Sequence, residues 1–256
     1  MVEQYPVLPG AESFFFKGNQ IGILICHGFV GTPQSVRFLG EYLASKGFSV
    51  YGVRLRGHGT HYEDMEKCSY QDWIQSIDDG YYFLQKHCQE IFVIGQSMGG
   101  TLTLNLTNKH RNIKGIMLIN AAIISIPPME RYKNRHLPRY INEGKPDIKD
   151  KSVNEITYPK APVRSIHQLF ALMDETRDKL PTISCPVLAF QSEEDHVVPP
   201  ENGKYLMATI KSDAKEMIPL TNSYHVASMD FEKGFIAEKC SLFIKKHASN
   251  AKNLEV

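Results

Sequence analysis

The stretch Glu90-Ile91-Phe92-Val93-Ile94-Gly95-Gln96-Ser97-Met98-Gly99-Gly100 decides the fold of this chain. It begins with Ile91 to Ile94, an apolar run rich in β-branched residues that is typical of a strand buried on both faces. A serine between two glycines follows, and the residues after Gly100 continue at a period that suits a helix. A strand, a Gly-x-Ser-x-Gly turn and a helix in this order predict a nucleophile elbow, which exposes the Ser97 hydroxyl at the edge of a sheet.

The sterics and electrostatics of this turn favour the same interpretation. A turn this tight leaves no room for a Cβ atom at Gly95 or Gly99, so both positions require glycine. The helix that starts at Ser97 directs backbone N–H groups and its positive dipole end toward a negative charge forming there. The segment therefore predicts a serine nucleophile.

Composition excludes several classes of protein. The 256 residues suit one large α/β domain, and the net charge of +1 predicts no bulk attraction to nucleic acid or an anionic membrane. The five cysteines are scattered and odd in number, which argues against a disulfide framework or a zinc site. No signal peptide and no run of the roughly 18 apolar residues needed for a membrane span is visible. We therefore expect a cytoplasmic protein without stable membrane insertion.

Strands and helices alternate along most of the chain. Buried or edge strands are predicted at Phe14–Phe16, Ile21–Cys26, Ser49–Leu55, Ile113–Asn120, Pro186–Phe190 and Lys215–Leu220, besides the elbow strand. Because helical patterns separate most of these strands, we expect a mostly parallel sheet covered on both faces.

The alternation stops between residues 123 and 180. This segment is charged and rich in loops, and its apolar stripe from Val163 to Met173 predicts one amphipathic helix. It is far longer than an ordinary connection between two strands. The sequence therefore predicts a core formed by residues 1–122 and 181–256, with residues 123–180 inserted as a cap.

A serine needs a base to take its proton, and the base works best when a carboxylate orients it. In the α/β-hydrolase fold these groups follow the serine in the order acid, histidine, each in a loop after a strand. Asp195 and His225 occupy such loops, with Glu193 and Glu194 as rival acids. Asp195 is preferred because the Val-Pro pair three residues after it resembles the Asp-x-x-Val-Pro turn of that superfamily.

An acyl transfer also needs hydrogen-bond donors for the oxyanion. The backbone N–H of Met98, directly after the nucleophile, is the first predicted donor. The second is the N–H of Phe29, in the loop that follows the first buried strand, and His27 is expected to brace that loop.

Taken together, several motifs resemble the bacterial monoacylglycerol lipases and their sister carboxylesterases in the α/β-hydrolase superfamily. The shared motifs are His27-Gly28-Phe29, Arg56–Thr60, Gly95–Gly100, Asp195–Pro199 and Asn222–His225, and the stretches His58–Glu66 and Ser223–Ala227 resemble the bacterial group most specifically. The resemblance implies an α/β-hydrolase fold with an apolar cap, hydrolysis of monoacylglycerols to fatty acid and glycerol, and no cofactor or metal. It also implies that Asn120 and Glu155 bind the glycerol part, and that contact with a lipid interface is transient.

Other functions remain open at this point. A carboxylesterase for short- to medium-chain non-glycerol esters would carry the same site, and so would a perhydrolase. A non-catalytic binder would have no need of Asp195. The front of the cap is also unusually basic, which suits either a solvated loop or a guide for anionic interfaces and fatty acid; its residues are Arg131, Lys133, Arg135, His136 and Arg139.

Overall fold

A seven-stranded sheet forms the centre of the molecule in the computed structural model, which describes residues 2–249. The described residues contain nine strands, namely β1 (Phe14–Phe16), β2 (Ile21–Cys26), β3 (Ser49–Val53), β4 (Glu90–Gln96), β5 (Gly115–Ile119), β6 (Tyr140–Asn142), β7 (Lys160–Pro162), β8 (Val187–Ser192) and β9 (Lys215–Leu220). Seven of them, all except β6 and β7, form the central sheet. Their order in the sheet is β1-β3-β2-β4-β5-β8-β9, and β1 is antiparallel while the others run parallel. The predicted mostly parallel sheet is confirmed.

Eight helices accompany the strands in the described residues. They are α1 (Gln34–Ser45), α2 (Tyr62–Lys67), α3 (Tyr70–Gln85), α4 (Met98–Lys109), α5 (Pro127–Glu130), α6 (Val163–Arg177), α7 (Glu201–Thr209) and α8 (Lys233–His247). Two apolar layers result, one between the sheet and α3, α4 and α6, the other between the sheet and α1 and α8.

Strand β2 shows why the strands of the central sheet appear in the sequence as unbroken apolar runs. Leu24 and Cys26 point into the first layer, while Ile21, Ile23 and Ile25 point into the second. Successive side chains of a strand alternate between its two faces, and helices cover both faces here, so every position in the strand is buried.

Residues 120–186 connect β5 to β8, two neighbouring strands of the central sheet. Helix α6 includes the stripe predicted from Val163 to Met173 and buries its apolar residues against the first layer. Strands β6 and β7 pair with each other only, as a small antiparallel sheet. The sequence did not predict this pair, because three-residue strands are too short to show a period of two.

The elbow between β4 and α4 is the tightest part of the fold. Ser97 lies between them at φ 54° and ψ −121°, a strained conformation for a residue with a side chain. A Cβ at Gly95 would lie 2.1 Å from the carbonyl oxygen of Gly99, and one at Gly99 would lie 2.3 Å from the carbonyl oxygen of Cys26. The predicted requirement for both glycines is confirmed.

We predict that Gly99→Ala destabilises the protein by about 1–3 kcal/mol, because the added methyl group must displace backbone at the end of β2. Gly234→Ala is a matched control near the start of α8, where nothing lies within 4 Å of the new Cβ. The control should be neutral or stabilising by up to about 1 kcal/mol. Urea unfolding of both variants measures the difference, and equal effects would contradict the packing argument.

Candidate active site

Ser97, His225 and Asp195 form a continuous hydrogen-bonded chain. Ser97 Oγ lies 2.9 Å from His225 Nε2, and His225 Nδ1 lies 2.8 Å from Asp195 Oδ2. The three residues follow β4, β8 and β9, whose carboxyl ends meet at one edge of the parallel sheet. The structure thus brings together the serine, acid and base positions proposed from sequence order, although 128 positions separate Ser97 from His225.

The orientation of Asp195 distinguishes it from its two acidic neighbours. Its Oδ1 accepts hydrogen bonds from the amides of Val197 (2.9 Å) and Val198 (2.7 Å), and its Oδ2 is left for the histidine. The Asp195 side chain is fully buried, whereas Glu193 and Glu194 are exposed. Of the three acids, Asp195 is therefore the one placed beside the imidazole.

The electrostatic surroundings favour the protonated form of His225. Burial by itself lowers the pKa of the imidazole, but nearby carboxylates, Asp195 first and then Asp147 and Glu155, more than offset it. The net pKa lies above its ordinary value. A proton taken up from Ser97 would be stabilised at this position.

Asn120 holds the loop that carries His225. Its amide nitrogen donates to the carbonyl oxygen of His225 (2.8 Å) and to Ser192 Oγ (3.0 Å), and its Oδ1 accepts from the Ser192 amide (2.8 Å). The side chain is fully buried and is not among the residues that line the cavity at Ser97. The geometry therefore does not support the expected contact of Asn120 with substrate, because its polar atoms are already bonded to the protein.

Asp147, from the segment between β6 and β7, is a further residue of the site. Its Oδ2 accepts from the backbone amides of His225 (3.2 Å) and His196 (3.1 Å), and its Oδ1 lies 2.8 Å from His196 Nδ1. It links the acid loop to the histidine loop. The sequence contained no signal for it, because Asp147 belongs to no motif and contacts residues 49 and 78 positions away.

The loop after β2 closes over the nucleophile. A Cβ at Gly28 would lie 3.3 Å from the Cβ of Ser97, so this backbone passes directly beside the serine. His27 Nε2 accepts from the Leu55 amide (3.2 Å), which leaves its Nδ1 to donate to the Gly28 carbonyl oxygen (2.9 Å). Burial lowers the pKa of His27 to about 4, so the ring is neutral and braces the loop. Phe29 lines the cavity next to Gly28.

Met98 is the first residue of α4, a position whose backbone N–H has no acceptor within its own helix. Its amide directly follows the strained Ser97. Phe29 follows the residue whose backbone passes beside Ser97, and Met98 directly follows Ser97 in the chain. The role of their amides as oxyanion donors stays a prediction.

A cavity of about 100 Å³ lies above Ser97 and His225. Its apolar wall includes Phe29, Val30, Ile126, Met129, Leu169 and Val197, and its polar wall includes Glu143, Lys145, Asp147, Glu155 and Thr157. Glu155 is half-buried, and burial raises the pKa of its carboxyl group to about 7. The structure therefore places Glu155, unlike Asn120, where a substrate could meet it.

The basic residues at the front of the 123–180 segment are exposed, and none of them lines the cavity at Ser97. Arg139 forms a two-point ion pair with Glu66, at 2.8 and 2.7 Å. Lys133 lies 3.9 Å from Asp174. These contacts favour the interpretation of a solvated loop over that of a fatty-acid guide.

Two further features, a metal-binding cluster and a membrane-spanning helix, are absent from the described residues. No group of three or more His, Cys, Asp or Glu side chains among residues 2–249 is arranged to hold a metal ion. Within the same range no helix is long and apolar enough to span a bilayer.

The parallel sheet, the elbow and the Ser–His–Asp chain define a serine hydrolase of the α/β-hydrolase fold. The chain belongs to the Hydrolase_4 family, described as serine aminopeptidase S33, whose model matches residues 19–232. The resemblance and the fold class stated from the motifs are thereby confirmed.

Individual relatives extend over nearly the whole chain. A thermostable monoacylglycerol lipase from Bacillus sp. (strain H-257) is 48% identical over 97% of this chain and 100% of its own. A carboxylesterase from Bacillus subtilis (strain 168) is 28% identical over 92% of this chain and 96% of its own. A solved structure reported for the metagenome-derived lipolytic enzymes LipS and LipT is 41% identical, covers 94% of this chain and 100% of its own, and superimposes with a TM-score of 0.91.

We predict that Asn120→Ala lowers kcat/KM by about the same factor for every ester substrate, because it loosens the His225 loop and removes no substrate contact. The lost hydrogen bonds correspond to a stability loss of about 1–3 kcal/mol. Steady-state kinetics on two esters of one acyl chain, with different alcohols, checks this. A loss confined to the glycerol ester would restore the substrate-binding role.

Proposed function

We propose that the protein hydrolyses monoacylglycerols to a fatty acid and glycerol through an acyl-enzyme. The observation that carries this proposal is the Ser97–His225–Asp195 chain in a cavity that Glu155 also lines. The full-length similarity to a monoacylglycerol lipase at 48% identity supports the same substrate class.

In the proposed reaction, His225 takes the proton of Ser97 as the serine oxygen attacks the ester carbonyl. The amides of Phe29 and Met98 donate to the oxyanion, and Asp195 stabilises the imidazolium. His225 then donates its proton to the departing glycerol oxygen. A water molecule, deprotonated by the same histidine, then attacks the acyl carbonyl. The bond to Ser97 Oγ breaks, and His225 returns the proton to the serine oxygen as the fatty acid leaves.

Glu155 is proposed to accept hydrogen bonds from the free hydroxyls of glycerol. A site built for such bonds discriminates strongly, since an analogue that lacks the hydroxyls leaves the polar groups of the protein unpaired. Residues 123–180 are proposed to act as a cap, because they supply Glu155 together with much of the apolar wall. The five free thiols of the described chain suit the reducing cytoplasm as its location.

The runner-up is a carboxylesterase for short- to medium-chain non-glycerol esters. One observation favours it: the cavity of about 100 Å³ is smaller than the roughly 300–1,000 Å³ of typical ligand pockets. A short acyl group would fit this space with less displacement of the cap than a long one.

Substrate pairs distinguish the two functions. We predict that wild-type protein prefers a monoacylglycerol to the ethyl ester of the same acid, and that Glu155→Gln lowers kcat/KM for the monoacylglycerol about tenfold. The ethyl ester should change less than about threefold, since it offers no hydroxyl to Glu155.

Glu238→Gln, an exposed position on α8, is the matched control, and Ser97→Ala measures the background. Equal losses on both esters would reject the glycerol-binding role, and a wild-type preference for the ethyl ester would favour the carboxylesterase.

The raised pKa of His225 predicts the pH dependence. The histidine must be neutral to accept the serine proton, so kcat/KM should fall as pH decreases through a pKa above about 6.5. Glu155→Gln removes one of the carboxylates that raise this pKa, so its inflection should move to lower pH. A wild-type profile that stays flat down to about pH 5 would contradict the role of His225.

A further inference from the structure

Glu143 is a second carboxyl group on the wall of the active-site cavity. It directly follows β6 and lines the cavity together with Glu155, Ser97 and His225. Glu143 belongs to none of the sequence motifs and has no part in the proposed reaction. Its backbone is anchored by a hydrogen bond from its amide to the Pro159 carbonyl oxygen (3.0 Å), so its place on the wall is held by the structure.

The two glutamates are partly removed from water, and neither forms an ion pair with a lysine or an arginine of the described residues. Both are half-buried, and burial is the leading cause that raises the pKa of each carboxyl group to about 7. The charge on Glu143 also raises the pKa of Glu155. Lys145 lines the same cavity, but within the described residues neither glutamate forms an ion pair with it or with an arginine. His225 lowers the pKa of Glu155 by its charge, whereas burial alone acts on the pKa of Glu143. A partly buried carboxylate without a counter-ion, as at Glu143, favours a ligand that supplies one.

The position of Glu143 and Glu155 in the cavity indicates which part of the substrate they would contact. Glu155 and Asp195 both act on the charge of His225, the group that would return a proton to the departing oxygen. An alcohol that receives this proton must lie next to the imidazole. Glu155 therefore lies on the alcohol side of the scissile ester, and Glu143 lines the same cavity and acts on the charge of Glu155.

We propose that Glu143 is a specificity-determining residue which, with Glu155, makes the cavity select esters of alcohols that carry a cationic amino group over their neutral hydroxyl counterparts. This inference rests on the proposed function for the position of the alcohol next to His225. A protonated amine donates charge-assisted hydrogen bonds to both carboxylates and replaces the missing counter-ion. A neutral glycerol hydroxyl can satisfy the same acceptors but leaves the negative charge uncompensated.

Inhibition by free alcohols tests the proposal. Glycerol and 3-amino-1,2-propanediol differ in a single group, a hydroxyl against an ammonium, and serve as the two probes. Their inhibition constants are measured from kcat/KM for a p-nitrophenyl ester. This ratio reports acylation of the free enzyme, so acyl transfer to the added alcohol does not disturb it. At about pH 8 the amino diol should bind about tenfold more tightly than glycerol.

The advantage of the amino diol over glycerol should fall below about threefold in Glu143→Gln at the same pH. It should also shrink in the wild type near pH 6, where both carboxyl groups are largely protonated. Glu238→Gln, exposed on α8, should keep the wild-type ratio. Because each value is a ratio of two constants from one preparation, loss of activity in a variant does not affect it.

Two outcomes would overturn the proposal: equal binding of the two probes to the wild type, or an advantage that survives Glu143→Gln and disappears only in Glu155→Gln. Hydrolysis of a monoacylglycerol by the same preparations separates this inference from the proposed function. Hydrolysis without an amino-diol advantage rejects the role of Glu143 alone, whereas the advantage without monoacylglycerol hydrolysis rejects the proposed function alone.

Discussion

The close approach of the elbow to the end of β2 is the constraint on which the site depends. Gly99 lies so near the carbonyl oxygen of Cys26 that a single methyl group would not fit between them. This contact starts α4 directly behind the serine and brings the Gly28 loop beside Ser97. The strained backbone at Ser97 persists because the strands and helices around it are fully packed. Nucleophile and proposed oxyanion donors are thus positioned by one packing contact.

The base and its acid depend on a second set of interactions, made by buried polar groups. Asn120 bonds to the His225 backbone from the end of β5, and Asp147 bonds to it from the segment between β6 and β7. The Asp195 carboxylate is oriented by two backbone amides before it reaches the histidine. Each of these groups finds its partners inside the protein, so the loops are held in one arrangement without substrate. Such preorganisation lets the site stabilise charge without reorganising during the reaction.

The 123–180 segment contributes side chains to the site. It supplies Asp147, which fixes the histidine loop, and it supplies Glu143 and Glu155, which make one wall of the cavity acidic. One stretch of chain therefore supplies both the residue that holds the histidine loop and the residues proposed to select the substrate. None of its five basic front residues lines the cavity, and Arg139 is bound to Glu66 at the surface.

The sequence by itself determined the local features: the buried strands, the elbow with its two required glycines, and the order of Ser97, Asp195 and His225. These follow from short-range patterns, namely apolar period, tight-turn sterics and the position of a residue after a strand. Tertiary structure alone decided which polar side chains meet. The resemblance implied a substrate contact for Asn120, and only the structure shows that its amide bonds to the His225 loop, while Asp147 carried no motif. The physical reason is that a hydrogen bond depends on distance in space, and these partners lie 49 to 105 positions apart along the chain.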